Sequence, residues 1–184
     1  MKTVVLKFGG TSVGSIDRIK KVCEIIASYK KKKNRVVVIS SAMAGVTNDL
    51  VKMSKQISVN FDKAEYDALI STGEQVSCAL IAGRLNAIGI KSRSWQSWQI
   101  PIITDGPYSS ARITKIKVTE LNNFLKSGGI PIITGFQTKF ITEAKADWPQ
   151  YSDRDTFDDI RLHINNDDSL NPNLVRSKNL DGSW

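Results

Sequence analysis

Val36-Val37-Val38-Ile39 is an unbroken β-branched run bracketed by Arg35 and Ser40. A strand that is apolar at every position has to be covered on both faces, as in a parallel sheet with helices above and below it. An earlier run, Val4-Val5-Leu6, has the same texture. Between the two, Ile16, Ile19, Val22, Cys23, Ile26 and Tyr29 recur at helical spacing behind Ser15, a natural N-cap. Strand, helix and strand make a β-α-β unit. Ile90 to Ser94 is expected as the next strand, Ile100 to Gly106 as a strand edge and turn, and Ile130 to Gln137 as another buried strand ending in a glycine. These alternate with helical patterns, so the expected class is α/β with a mainly parallel sheet.

The remaining elements follow from spacing and glycine. Val46, Leu50, Met53 and Ile57 mark one side of a helix that opens from the small residues after Ser40. Glu65 to Ile70 predicts a short helix that halts at Ser71-Thr72-Gly73, and a second helix restarts at Glu74. Val76, Ala79, Leu80 and Leu85 form its expected apolar stripe, with Cys78, Ala82 and Gly83 keeping it slim and Gly89 ending it. Trp95 and Trp98 are expected in the core. Ile113, Ile116 and Val118 suggest a half-exposed strand, and Thr119 a cap for a helix running to Lys126 before Gly128-Gly129.

Val4-Val5-Leu6-Lys7-Phe8-Gly9-Gly10-Thr11-Ser12-Val13-Gly14 joins the first strand to the first helix through a glycine turn. Two readings stay open for it. Its backbone N–H groups, with the Lys7 ammonium, suit an anion; equally, the glycines serve a tight turn and Lys7 is a solvated strand end. Ser40-Ser41-Ala42-Met43-Ala44-Gly45-Val46-Thr47-Asn48 places a second set of small residues and hydroxyls at the carboxyl end of the next strand, where open α/β sheets bind ligands.

Composition narrows the chemistry. A single His163 and two widely spaced cysteines, Cys23 and Cys78, leave catalysis to carboxylates, lysines, hydroxyls and backbone, with the thiols expected reduced and buried. The formal net charge of +8 invites a nucleic-acid reading. Its densest run, Lys30-Lys31-Lys32-Lys33, has no interleaved aromatic residue and reads as a solvated loop, so a polyphosphate substrate accounts for the field as well and nucleic acid stays a minor alternative. No run has the apolar length of a membrane span, and the opening residues reach a strand and its glycine turn without an n-region and h-region, so no signal peptide and a cytoplasmic address are expected. From Thr138 the texture changes. Residues 1–137 hold 20 of the 26 basic and 9 of the 18 acidic residues, whereas the last 47 hold 6 and 9. That segment, 138–184, is expected to be a divergent and partly disordered tail.

Lys7-Phe8-Gly9-Gly10-Thr11-Ser12, Ser41 to Asn48, Ser71-Thr72-Gly73-Glu74 and Gly135-Phe136-Gln137 together resemble the aspartate kinases of the amino-acid kinase superfamily, over about residues 1–137. The resemblance implies a three-layer αβα sandwich and transfer of the γ-phosphoryl of ATP to the side-chain carboxylate of L-aspartate, at the entry to lysine, threonine, methionine and diaminopimelate synthesis. It assigns Lys7 to the β- and γ-phosphates and Phe8, Gly9 and Gly10 to the nucleotide, with Thr11 and Ser12 adding hydroxyls. Thr47 and Glu74 take aspartate, Glu74 through the α-ammonium group; apart from the resemblance, Glu74 reads as an acid favoured in the first turn of a helix. Mg²⁺ is expected with ATP, carried by phosphates and water. The family's arginine-glycine-glycine-serine-aspartate stretch, its threonine-aspartate-valine segment and its ACT domains do not occur in 138–184. A shifted reading frame or premature stop is one expected origin, and weak or absent turnover one expected result. A non-catalytic remnant or binding module is the alternative, and self-association into a homo-oligomer through uncovered apolar edges stays open.

Overall fold

The computed structural model describes residues 2–106 and 112–135. Four strands, β1 (Thr3–Phe8), β2 (Arg35–Ser40), β3 (Ser92–Trp95) and β6 (Ile130–Thr134), form a parallel sheet in the order β1-β2-β6-β3. The register pairs Leu6 with Val38 and Val38 with Ile132, so residues of one parity point to one face across the sheet. Val4, Leu6, Phe8, Val36, Val38, Ile130 and Ile132 face α1 (Ile16–Lys31) and α3 (Lys63–Ala87). Val5, Val37, Ile39 and Ile133 face α4 (Thr119–Lys126). Helices on both faces make the three layers. β4 (Ile102–Asp105) and β5 (Arg112–Ile116) pair antiparallel as a separate ribbon, which the parallel pattern did not anticipate. Among the described residues no helix is long and apolar enough to cross a membrane.

Ser15 caps α1 as expected, its side chain accepting from the Arg18 amide. The lysine run is only half a loop: α1 continues through Lys31, Lys32 and Lys33 form the exposed turn after it, and Lys30 donates to the Gly128 carbonyl at 2.8 Å. Cations at a helix C-terminus offset its partial negative charge, which is why the helix tolerates them.

The larger correction concerns α3. The predicted break at Ser71-Thr72-Gly73 does not occur, and one helix of 25 residues runs through it. Gly73 is there for space. A Cβ on it would lie 3.1 Å from Val46 Cγ1 and 3.2 Å from Ala42 Cβ, so its missing side chain lets α2 (Val46–Ile57) approach. The buried stripe is also rotated from the expected one. Ile70, Glu74, Ser77, Cys78, Ile81, Ala82 and Leu85 face inward, while Val76, Ala79 and Leu80 face out. Met53 and Ile57 of α2 are likewise exposed. Gly89, at φ +80°, ends α3 with the Ile90 amide bonded to the Leu85 carbonyl. Trp95 is buried edge-on to Phe124, but Trp98 is exposed, so only one of the two tryptophans is core. The tail, 138–184, and Phe136-Gln137 lie outside the described residues.

Candidate active site

The carboxyl ends of β1, β2 and β6 are neighbours, because the register sets Phe8 beside Ser40 and Ser40 beside Thr134. The described turns that follow these three strands therefore collect along one edge. The turn after β1 is closed by its own backbone: the amides of Ser12 and Val13 donate to the Gly9 carbonyl, and that of Gly14 to the Thr11 carbonyl. The amides of Gly10 and Thr11 make no hydrogen bond among the described residues. Gly10 cannot carry a side chain here, since a Cβ would stand 2.9 Å from the Ala42 carbonyl oxygen. Gly14 meets Ala44 in the same way, at 3.1 Å. The glycine turn after β1 and the small-residue turn after β2 are thus packed as one unit, and the Ser41 amide bonds the Phe8 carbonyl at 3.0 Å between them.

Lys7 is half-buried on β1, one residue before the turn, and strand alternation directs it to the α4 side. Phe8 is buried on the opposite side against α1 and α3. Of the two hydroxyls expected at the turn, Thr11 is exposed, whereas Ser12 is buried. Thr47 is half-buried in the first turn of α2, whose N-cap Gly45 takes φ +86°. Glu74 is fully buried midway along α3. The helix-start explanation for Glu74 fails with the break in α3: Glu74 lies midway along α3, not in its first turn. It sits at the carboxyl edge instead, with Oε1 3.6 Å from the position a Cβ on Gly135 would take. Lys7 and Glu74 thus approach this edge from opposite faces of the sheet.

Sequence reasoning passed over three side chains. Arg18, exposed on α1, donates to the Thr11 carbonyl at 2.7 Å and sets a second cation beside the glycine turn. Ser40 and Ser77, both fully buried, join β2 to α3 beneath the edge. A serine at a strand end and one on a slim helix carry no distinctive spacing, which is why neither stood out. Burial raises the Cys78 thiol pKa, and the nearby Glu74 charge raises it further, so Cys78 is no nucleophile. Burial likewise pushes Cys23 up to about 11.

A parallel αβα sandwich with a glycine turn and a lysine at its carboxyl edge has the form of a small-molecule kinase, and the sequence model of the amino acid kinase family matches residues 2–155; the chain belongs to that family. Within it the chain is similar to the aspartokinases. That of Rickettsia felis is 45% identical over 140 residues, covering 74% of this chain and 35% of its own. The crystal structure of aspartate kinase from Synechocystis is 37% identical with a TM-score of 0.61, over 71% of this chain and 21% of that one. Escherichia coli aspartokinase III, solved in complex with aspartate and ADP, shares the fold at a TM-score of 0.62 and 21% identity, over 73% of this chain and 41% of that one. The chain spans about a third of the length of the curated relatives it matches.

Proposed function

We propose that the chain acts as an aspartate kinase, joining an oxygen of the L-aspartate side-chain carboxylate to the γ-phosphorus of ATP as the bond to the β-phosphate oxygen breaks and ADP leaves. The observation that carries this reading is Glu74, a carboxylate held fully buried in mid-helix at the edge where the glycine turn lies. A carboxylate at this edge is a natural partner for the α-ammonium group of an amino-acid substrate. The Escherichia coli neighbour is solved with aspartate and ADP, a substrate and a product of this reaction.

The acceptor is already ionised at neutral pH, so no general base is needed, in keeping with a chain that has one histidine, far along the sequence. The barrier is the approach of one anion to another. Lys7 neutralises charge at the β- and γ-phosphates, and the Gly9-Gly10-Thr11 backbone comes close enough to donate to phosphate oxygens. Thr47 orients the amino acid with Glu74. Among the described residues no three His, Cys, Asp or Glu side chains form a metal cluster. Mg²⁺ would enter as the metal complex of the nucleotide, held by phosphates and water, and would supply further charge neutralisation when bound.

Calorimetric titration of L-aspartate into the chain and its Glu74→Gln variant tests this directly. Binding by the wild type that drops at least tenfold in the variant is expected; equal affinity, or no binding by either, defeats the reading. Binding without ADP release in a coupled assay favours the alternative, a non-catalytic module derived from an aspartate kinase.

A further inference from the structure

The geometry points to Ser77, assisted by Ser40, as the positioning residue that fixes Glu74 relative to the glycine turn. This inference rests on the reading of Glu74 as the contact for aspartate. Ser77 lies one helical turn beyond Glu74, on the same buried face of α3. Its hydroxyl oxygen is 2.8 Å from the Ser41 carbonyl and 3.0 Å from the Glu74 carbonyl, and Ser40 Oγ is 3.2 Å from both Ser77 Oγ and the Ser41 carbonyl.

Each hydroxyl has one proton. Taking the shortest contact first, Ser77 donates to the Ser41 carbonyl, and Ser40 then supports it by donating to Ser77 Oγ. Ser41 is then held from two sides, since its own amide donates to the Phe8 carbonyl at 3.0 Å. Phe8 is the residue immediately before Gly9-Gly10. A single residue, Ser41, thus connects the start of the phosphate turn to the turn of α3 that bears Glu74. Ser40 and Ser77 are both 0% exposed, so water does not replace either hydroxyl. Losing the Ser77 hydroxyl removes the shorter of the two donors to the Ser41 carbonyl and the bond that ties α3 to β2, and losing Ser40 removes its support, so either change frees α3 to shift against β2. Such a shift moves Glu74 and leaves Lys7, on the far face of β1, in place.

The discriminating measurement is the pair of affinities of the full 184-residue chain for L-aspartate and for Mg·ATP, titrated separately, with Tm recorded for each protein. Ser77→Ala is expected to weaken aspartate about tenfold while nucleotide affinity stays within about twofold. A merely structural role would lower both affinities with Tm; parallel loss, or no change in either, overturns the inference. Should Ser77→Ala not fold, Ser40→Ala, which leaves the Ser77-to-Ser41 bond in place, is expected to cost about threefold in aspartate affinity alone, and an unchanged value overturns it. Failure of the wild type to bind aspartate overturns the inference together with the kinase reading. Wild-type binding with indifferent serine variants overturns the inference only.

Discussion

Lys7 shows how much a single side chain owes to its strand position. Alternation along β1 gives Val5 and Lys7 one face and Leu6 and Phe8 the other, so the ammonium leaves the sheet one residue before the glycine turn. Replacing it with methionine keeps most of the stem and removes the charge. Lys7→Met is expected to weaken Mg·ATP binding at least tenfold while changing L-aspartate affinity little, as two calorimetric titrations would show. The cysteines give a pH test at the same scale. Cys23 is raised from 9.0 to about 11 in the folded chain. A group whose folded pKa is raised contributes its stability in full below the unfolded value and loses it as pH rises through the folded one. Unfolding free energy is therefore expected to fall between about pH 9 and pH 11. Native thiols should react slowly with a disulfide reagent at pH 8 and quickly once denaturant is added; fast native labelling would contradict the burial of both cysteines.

At the scale of elements, the strands were the most legible part of the chain. Arg35–Ser40 and Ile130–Thr134 stood out as continuous apolar runs because a parallel strand buried on both faces leaves no position for a polar residue. α3 was misread for a reason just as physical. Glycine marks either a special φ or a close approach, and the sequence does not say which. At Gly89 it is φ, at +80°; at Gly73 it is the approach of Val46 and Ala42, and the helix runs on. Thr47 and Glu74 were singled out only through their motifs, and the serine pair was missed, because hydroxyl bonds across 36 or 37 residues leave no periodicity. The glycine assignments are testable. Gly73→Val drives two methyl groups into α2 and is expected to destabilise the chain by about 2–3 kcal/mol, whereas Gly89→Ala, strained only by its positive φ and with open space around it, is expected to cost about 1 kcal/mol in urea unfolding.

For the molecule as a whole, the decisive quantity is charge at the carboxyl edge. The net charge of +8 draws anions toward the chain, but long-range attraction lowers no barrier unless cations stand against the transferring group. Lys7 lies next to the glycine turn, and Arg18 is held beside it by the Thr11 carbonyl. On the aspartate-kinase reading these two cations would meet a triphosphate and a carboxylate, while Glu74 lies at the same edge. Binding needs each ligand satisfied separately; transfer needs both anions neutralised at once. The chain on its own is therefore expected to bind Mg·ATP, visible as a rise in Tm that grows with nucleotide concentration. It is expected to release ADP with aspartate far more slowly than the 1–100 s⁻¹ or so of ordinary kinases. Turnover within that range, abolished in Lys7→Met, would show that two cations suffice and that the edge formed by β1, β2 and β6 is a complete transfer site.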